Sequence, residues 1–124
     1  MQKKRILIID DEEGFTHLVK LSLEATGKYE VRIENKGSLG HLAAKQFKPD
    51  LILLDLIMPD MGGGEVSYQL KSDEGTKTIP IVFITAIMTK DEAVARGGII
   101  SGHQVIAKPV GTEELIDVIK KSIG

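Results

Sequence analysis

The sequence lacks cysteine and tryptophan, and its aromatic side chains are limited to three phenylalanines and two tyrosines. The absence of cysteine excludes disulfides, thiol nucleophiles and cysteine-ligated zinc sites. The shortage of aromatic rings argues against a flavin cofactor, which would need rings to stack on it. Apolar runs such as residues 51–54 are far shorter than the roughly 20 residues that a membrane helix needs. We therefore expect no membrane span.

Charges of both signs are mixed along the chain, with a net charge of −2 and a pI near 5.9. Nucleic-acid-binding domains usually carry a dense basic patch. No such stripe stands out here, so we expect no direct binding to nucleic acid. The basic residues Lys3, Lys4 and Arg5 precede an apolar run that is too short for a signal peptide. The expected location is therefore cytoplasmic.

The length suits one domain spanning residues 1–124, in which short apolar runs alternate with helical patterns. These runs predict five strands, at residues 5–9, 29–34, 51–54, 81–85 and 104–108. Helical spacing and start residues predict five helices, at residues 12–26, from Ser38, near 65–71, from Thr89 and from Thr112. We expect Ser38 and Thr112 to cap their helices. The alternation predicts an α/β fold with a mainly parallel sheet and helices on both faces.

Polar residues follow four of the five predicted strands: Asp10 and Asp11, Asp55, Thr85, and Lys108. Each alone has an ordinary explanation, such as a helix cap, a turn residue, a β-former or a surface lysine. Their joint position is harder to attribute to chance, because the carboxyl ends of parallel strands meet at one edge of the sheet. Ligands of such folds bind at that edge.

The combination of these residue types indicates phosphoryl transfer onto an aspartate. Three clustered carboxylates repel one another unless a cation or protons compensate them. Hard oxygen ligands favour Mg²⁺. A carboxylate nucleophile, a metal, an ammonium and a hydroxyl are the groups that position and neutralise a phosphoryl group during transfer.

With these residues in place, the chain resembles the response-regulator receiver domains of two-component signalling over essentially its whole length. The segment 6–12 (ILIIDDE) is similar to the family's opening strand and acid pair, and 55–63 (DLIMPDMGG) to its phosphoacceptor loop. Thr85-Ala86 and Lys108-Pro109 match the switch hydroxyl and the lysine-proline pair. The resemblance implies a flavodoxin-like doubly wound sheet of five parallel strands in the order 2-1-3-4-5, with five helices.

The resemblance also implies the roles of the site residues. Mg²⁺ would be bound directly by Asp11, Asp55 and the backbone carbonyl of Ile57, with Asp10 assisting through water. Asp55 would be the phosphoacceptor. The donor would be a phosphohistidine on a sensor histidine kinase or a histidine phosphotransfer protein.

Two further residues would act on the phosphoryl group itself. Lys108 would pair with the phosphoryl oxygens, and Thr85 would donate a hydrogen bond to one of them. The bond between Lys108 and Pro109 would be cis. No substrate turnover is expected, because the domain catalyses only its own modification at Asp55.

The chain departs from the family pattern at several positions. Val105 stands where the family usually has an aromatic ring, and Gly97-Gly98 lies where a different pair is usual. Both departures affect the face that the family commonly uses for output. Ile57 and Ile87 are apolar where polar residues would help to orient a hydrolytic water, so phosphorylated Asp55 should be long-lived. We interpret residues 62–64 (GGG) as a mobile turn.

Two alternatives stay open. The first is a phospho-independent interaction module that keeps the fold but not the signalling cycle, which the atypical output face motivates. The second is a phosphohydrolase similar to the haloacid dehalogenase-like enzymes. Those enzymes place the nucleophile in an Asp-x-Asp motif on the first strand, whereas Asp10 and Asp11 are adjacent here.

Overall fold

The computed structural model describes residues 2–87, 92, 99–100, 102–108 and 110–124. Six strands lie along the described chain: β1 (Lys4–Ile9), β2 (Tyr29–Glu34), β3 (Leu51–Asp55), β4 (Ile81–Thr85), β5 (Ile99–Ile100) and β6 (His103–Ala107). The α-helices of the described residues are α1 (Glu13–Glu24), α2 (Gly40–Phe47), α3 (Gly63–Ser72) and α4 (Thr112–Ile123). No helix in this described part is long and apolar enough to cross a bilayer.

The strands form one sheet in the order β2-β1-β3-β4-β6-β5. The first five strands of this order are parallel, and the two-residue β5 pairs antiparallel to β6 at the edge. The predicted order of five parallel strands is confirmed, with β6 as the predicted fifth strand. The short edge strand is an addition that the sequence pattern did not indicate. Within the helix predicted from Thr89 the structure describes Glu92, which is helical, whereas Gly97-Gly98 lies outside the described residues.

The sheet is covered on both faces, as the nearly all-apolar strands predicted. Alternate residues of the central strands belong to two separate clusters, because successive side chains point to opposite faces. One cluster joins residues such as Leu7 and Leu54 to α2 and α3. The other joins residues such as Ile8 and Leu53 to α1 and α4. A strand buried in this way cannot slip its register without moving a polar residue into the core.

This register brings the carboxyl ends of β1, β3, β4 and β6 to one edge. Ile9 pairs with Leu54, Asp55 pairs with Ile84, and Thr85 pairs with Ala107. The residues that follow each strand therefore come together, as the sequence predicted.

Candidate functional site

Three carboxylates meet at this edge of the sheet. Asp10, Asp11 and Asp55 each present an oxygen, and these oxygens all lie within 4.8 Å of one another. Asp10 and Asp55 are buried, whereas Asp11 is exposed. The predicted acid cluster is therefore assembled, and one of its members faces solvent.

Two hydrogen bonds hold Asp10 in place, one to its side chain and one to its backbone oxygen. Its Oδ1 accepts a hydrogen bond of 2.9 Å from the Glu12 amide. Its backbone oxygen accepts one of 2.8 Å from the Asn35 side chain, which also donates to the Thr16 hydroxyl at 3.1 Å. Asn35 therefore ties the loop after β1 to the loop after β2. Sequence reasoning missed this residue, because an asparagine after a strand has no signal beyond that of a turn.

Asp55 is only 4% exposed at the end of the central strand β3. Burial and the negative charge of Asp10 raise its pKa to about 6, although Lys108 opposes the shift. Its Oδ1 lies 3.5 Å from the Ile57 amide, which is too long for a strong hydrogen bond. The carboxylate is thus poorly solvated and weakly bonded, which leaves its lone pairs available for a new bond.

Lys108 supplies the positive charge of the cluster. Its Nζ lies 2.7 Å from Asp10 Oδ2, 2.6 Å from Glu12 Oε1 and 3.9 Å from Asp55 Oδ2. The same ammonium lies 4.5 Å from the centre of the Phe15 ring. Burial alone would lower the pKa of Lys108, but the hydrogen bonds to Asp10 and Glu12 more than offset it, so the pKa is raised.

Thr85 ends β4 with its side chain fully buried. Its hydroxyl oxygen accepts a hydrogen bond of 3.2 Å from the Ile87 amide, and its backbone oxygen accepts one of 2.8 Å from the Lys108 amide. A hydroxyl that accepts in this way still has its own proton to donate. The neighbouring strands thus place Thr85 beside both Asp55 and Lys108. The peptide bond at Pro109 lies outside the described residues.

The loop after Asp55 is anchored rather than loose. The Asp60 carboxylate accepts hydrogen bonds from the Ser38 amide (3.0 Å), the Ser38 hydroxyl (2.8 Å) and the Gly37 amide (3.2 Å). The hydrogen bond from the Ser38 amide is the main reason why the pKa of Asp60 falls to about 2. Both predicted helix caps are wrong. Ser38 lies in a short 3₁₀ turn that precedes α2 and does not cap that helix. Thr112 is the first residue of α4, whose N-cap position is held by Gly111.

The interpretation of residues 62–64 as a mobile turn needs correction. Gly63 and Gly64 form the first turn of α3. The Gly63 amide donates a hydrogen bond of 2.9 Å to the Leu56 carbonyl. A Cβ at Gly63 would collide with the Asp55 backbone oxygen, whereas one at Gly64 would meet nothing within 4 Å. Gly63 is thus required because the helix begins directly against the end of β3.

Three residues singled out in the sequence occupy contrasting positions. Ile57 and Ile87 are 57% and 68% exposed beside the acid cluster, so they form an apolar rim at its mouth. Val105 is buried opposite Phe83 in the β4–β6 pair and belongs to the core. The position that usually holds a ring therefore carries a packed aliphatic side chain here.

The cluster fits a divalent cation. Three carboxylates are gathered here, and among the described residues the ammonium that contacts two of them is that of Lys108. Burial and the negative charge of Asp10 raise the pKa of Asp55, so a cation at this position would relieve part of that cost. The oxygen donors are those that Mg²⁺ prefers, and one exposed carboxylate leaves room for the waters that this ion retains. Asp10, Asp11 and Asp55 are the side chains that would hold it.

An apolar groove of about 400 Å³ opens between α1 and α4 next to this cluster. Glu12 and Lys108 form its polar end, and apolar side chains such as Phe15, Leu18 and Leu115 line the rest. Leu18 is largely exposed. The groove therefore adjoins the acid cluster through Lys108, which lines the groove and contacts Asp10 and Asp55.

Comparisons with known proteins agree with this geometry. The sequence matches the response regulator receiver domain over residues 6–120. It is 32% identical over 123 residues to the polar-differentiation response regulator DivK of Brucella anthropi, covering 98% of this chain and 97% of that protein. It is 38% identical over 113 residues to the transcriptional regulator RpaA of Synechocystis, covering 90% of this chain but only 46% of RpaA.

The solved structures give the same result. The chemotaxis protein CheY4 of Vibrio cholerae superposes with a TM-score of 0.82 at 25% identity, covering 98% of this chain and 99% of that chain. A response regulator from Chloroflexus aurantiacus superposes with a TM-score of 0.83 at 25% identity, with 98% of both chains covered. The chain therefore belongs to the response regulator receiver domain family of two-component signalling.

Proposed function

We propose that this receiver domain is a phosphoacceptor switch in which Asp55 takes a phosphoryl group from a phosphohistidine donor in the presence of Mg²⁺. The proposal rests on the environment of the Asp55 side chain. Its carboxylate is buried and weakly hydrogen-bonded beside two further acids, with the Lys108 ammonium 3.9 Å away. Residues 1–124 form the one domain that performs this reaction.

In the transfer step, an Asp55 carboxylate oxygen forms a bond to phosphorus. The bond between phosphorus and the donor's imidazole nitrogen breaks, and its electron pair returns to that nitrogen. Asp11, Asp55 and the Ile57 carbonyl would hold Mg²⁺, with Asp10 assisting through water, and the ion would supply charge neutralisation for the phosphoryl oxygens. Lys108 neutralises a further oxygen, because its flexible chain needs to move only slightly to reach the acceptor.

Thr85 would link phosphorylation of Asp55 to a change in structure. Its hydroxyl keeps a free proton while accepting from the Ile87 amide. The phosphoryl group brings roughly −1.5 to −2 charges and strong acceptor oxygens. The hydroxyl therefore turns toward it, and the loop that carries Ile87 follows. Since the phosphoryl group stays bonded to Asp55, each donor molecule modifies one domain, and no substrate is turned over.

The groove between α1 and α4 is the surface on which we place the phosphohistidine protein. A donor imidazole must reach Asp55, and the groove leads directly to Lys108 and Glu12 at the acid cluster. Exposed Leu18 offers the apolar contact that a helix of the partner would cover. This arrangement explains why an apolar side chain is left in solvent beside a charged site.

The test is intact-mass measurement after incubation with acetyl phosphate and Mg²⁺. The protein with the unmodified sequence should gain the mass of one phosphoryl group, and the Asp55→Asn variant should gain none. Asp117→Asn is the matched control, because it makes the same change on the exposed surface of α4. Equal labelling of the Asp55 variant would refute the acceptor assignment. Absence of labelling in the unmodified sequence would instead favour a phospho-independent interaction module.

A further inference from the structure

Lys108 is shared between two carboxylates that differ in their surroundings. Asp10 is completely buried, whereas the Glu12 side chain is 57% exposed. The Lys108 side chain is only 9% exposed, and its ammonium lies closer to Glu12 (2.6 Å) than to Asp55 (3.9 Å). The lysine is therefore held partly by a surface carboxylate that takes no part in the expected chemistry.

We propose that Glu12 is a positioning residue that competes with the phosphoryl group for Lys108 and thereby limits how readily Asp55 is modified. The inference rests on the proposed function, since it concerns the same lysine. Glu12 acts through Lys108 and needs no contact with the reacting atoms.

The local backbone favours this role. Glu12 directly precedes α1, and its amide is fixed to Asp10 Oδ1 at 2.9 Å. The backbone thus holds the residue at the acid pair, while the exposed side chain is free to swing into solvent. Asp10 has no such freedom, because its side chain is enclosed by the protein. Of the two carboxylates that hold Lys108, Glu12 is the one that can release it.

Electrostatics also predicts that Glu12 opposes the modification of Asp55. An ammonium has three N–H donors, and Glu12 occupies one that a phosphoryl oxygen would otherwise use. The Glu12 carboxylate also repels the incoming phosphoryl anion. Neutralising Glu12 removes both obstacles. Because Glu12 is largely exposed, the pair has the strength of a surface ion pair, which corresponds to an effect of about two- to five-fold.

The experiment compares Glu12→Gln with the unmodified chain at saturating Mg²⁺. The affinity for beryllium trifluoride, a phosphoryl analogue, is measured by calorimetry, and the rate of modification by acetyl phosphate is measured by intact mass. Glu13→Gln is the matched control, because it removes the same charge one residue further along the first turn of α1. Glu12→Ser provides a second variant, which removes the same charge and supplies a hydroxyl suited to a helix N-cap. Thermal melting verifies that each variant is folded.

We expect Glu12→Gln to bind the analogue and to be modified about two- to five-fold better, with Glu13→Gln unchanged. Equal or weaker binding by both Glu12 variants would overturn the proposal. An equal gain in Glu13→Gln would also overturn it, because the effect would then come from net charge alone. If the unmodified chain neither bound the analogue nor gained mass, the proposed function would fail together with this inference.

Discussion

Replacing Asp55 with asparagine should stabilise the metal-free domain at neutral pH, although it removes the central residue of the site. The pKa of Asp55 is raised from 3.8 to about 6, chiefly by burial and by the charge of Asp10. The folded protein therefore prefers the protonated carboxyl, and it must hold an unfavourable charge at neutral pH. Asparagine has nearly the same shape and carries no charge.

The magnitude follows from the pKa shift. The two values differ by about 2 units, and each unit corresponds to about 1.4 kcal/mol. The ionised carboxylate therefore costs the fold ~3 kcal/mol. Because the folded-state pKa lies above the unfolded value, the folded state binds more protons between about pH 4 and pH 6, and stability falls as pH rises through that window. Above about pH 6 the ionised Asp55 carboxylate lowers the stability of the folded domain by the full amount.

The assay is urea unfolding of both proteins in EDTA at pH 7.5 and again at pH 3.5. At pH 7.5 the free energy of unfolding of Asp55→Asn should exceed that of the unmodified chain by ~2–3 kcal/mol. At pH 3.5 the difference should nearly vanish, since Asp55 is then largely protonated whether the chain is folded or unfolded. Asp117→Asn, an exposed control, should change stability by less than about 0.5 kcal/mol at either pH.

Two results would refute this reasoning. If Asp55→Asn were no more stable than the unmodified chain at pH 7.5, burial and repulsion would not strain the acceptor. If the gain were the same at both pH values, its origin would be packing rather than charge.

Three further predictions follow from the same site. Millimolar Mg²⁺ should raise the melting temperature of the unmodified chain by mass action, and Asp11→Ala should remove most of that rise; no shift in either protein would contradict the metal site. Gly63→Ala should lower the free energy of unfolding by more than about 1 kcal/mol, because the new Cβ would meet the Asp55 backbone oxygen. Gly64→Ala should raise it by roughly 0.5–1 kcal/mol, and urea unfolding would measure both changes. Ile57→Asn and Ile87→Glu should each speed loss of the phosphoryl group, followed by mass after the donor is removed, because a polar side chain at the rim can orient water; unchanged decay in both would refute this role.

The strand order and the acid cluster were accessible from the sequence for a physical reason. A strand buried on both faces must be apolar at almost every position, and this makes its limits visible, as at residues 51–54. Parallel connections then bring all carboxyl ends to one edge. The gathering of Asp10, Asp55, Thr85 and Lys108 follows from those two facts. The edge strand β5 escaped prediction because two residues carry no periodicity.

The remaining features depend on contacts between segments that are distant in sequence. Nothing local indicates that Lys108 binds Glu12, 96 residues earlier, more closely than Asp55. Likewise, Ser38 bonds Asp60 instead of capping a helix, and Gly63 is required by the carbonyl of Asp55 rather than by a turn. Sequence pattern determined which residues reach the site, because burial and periodicity are local properties. Tertiary structure decided how those residues are paired, because hydrogen bonds and steric contacts depend on distances that only the folded chain defines.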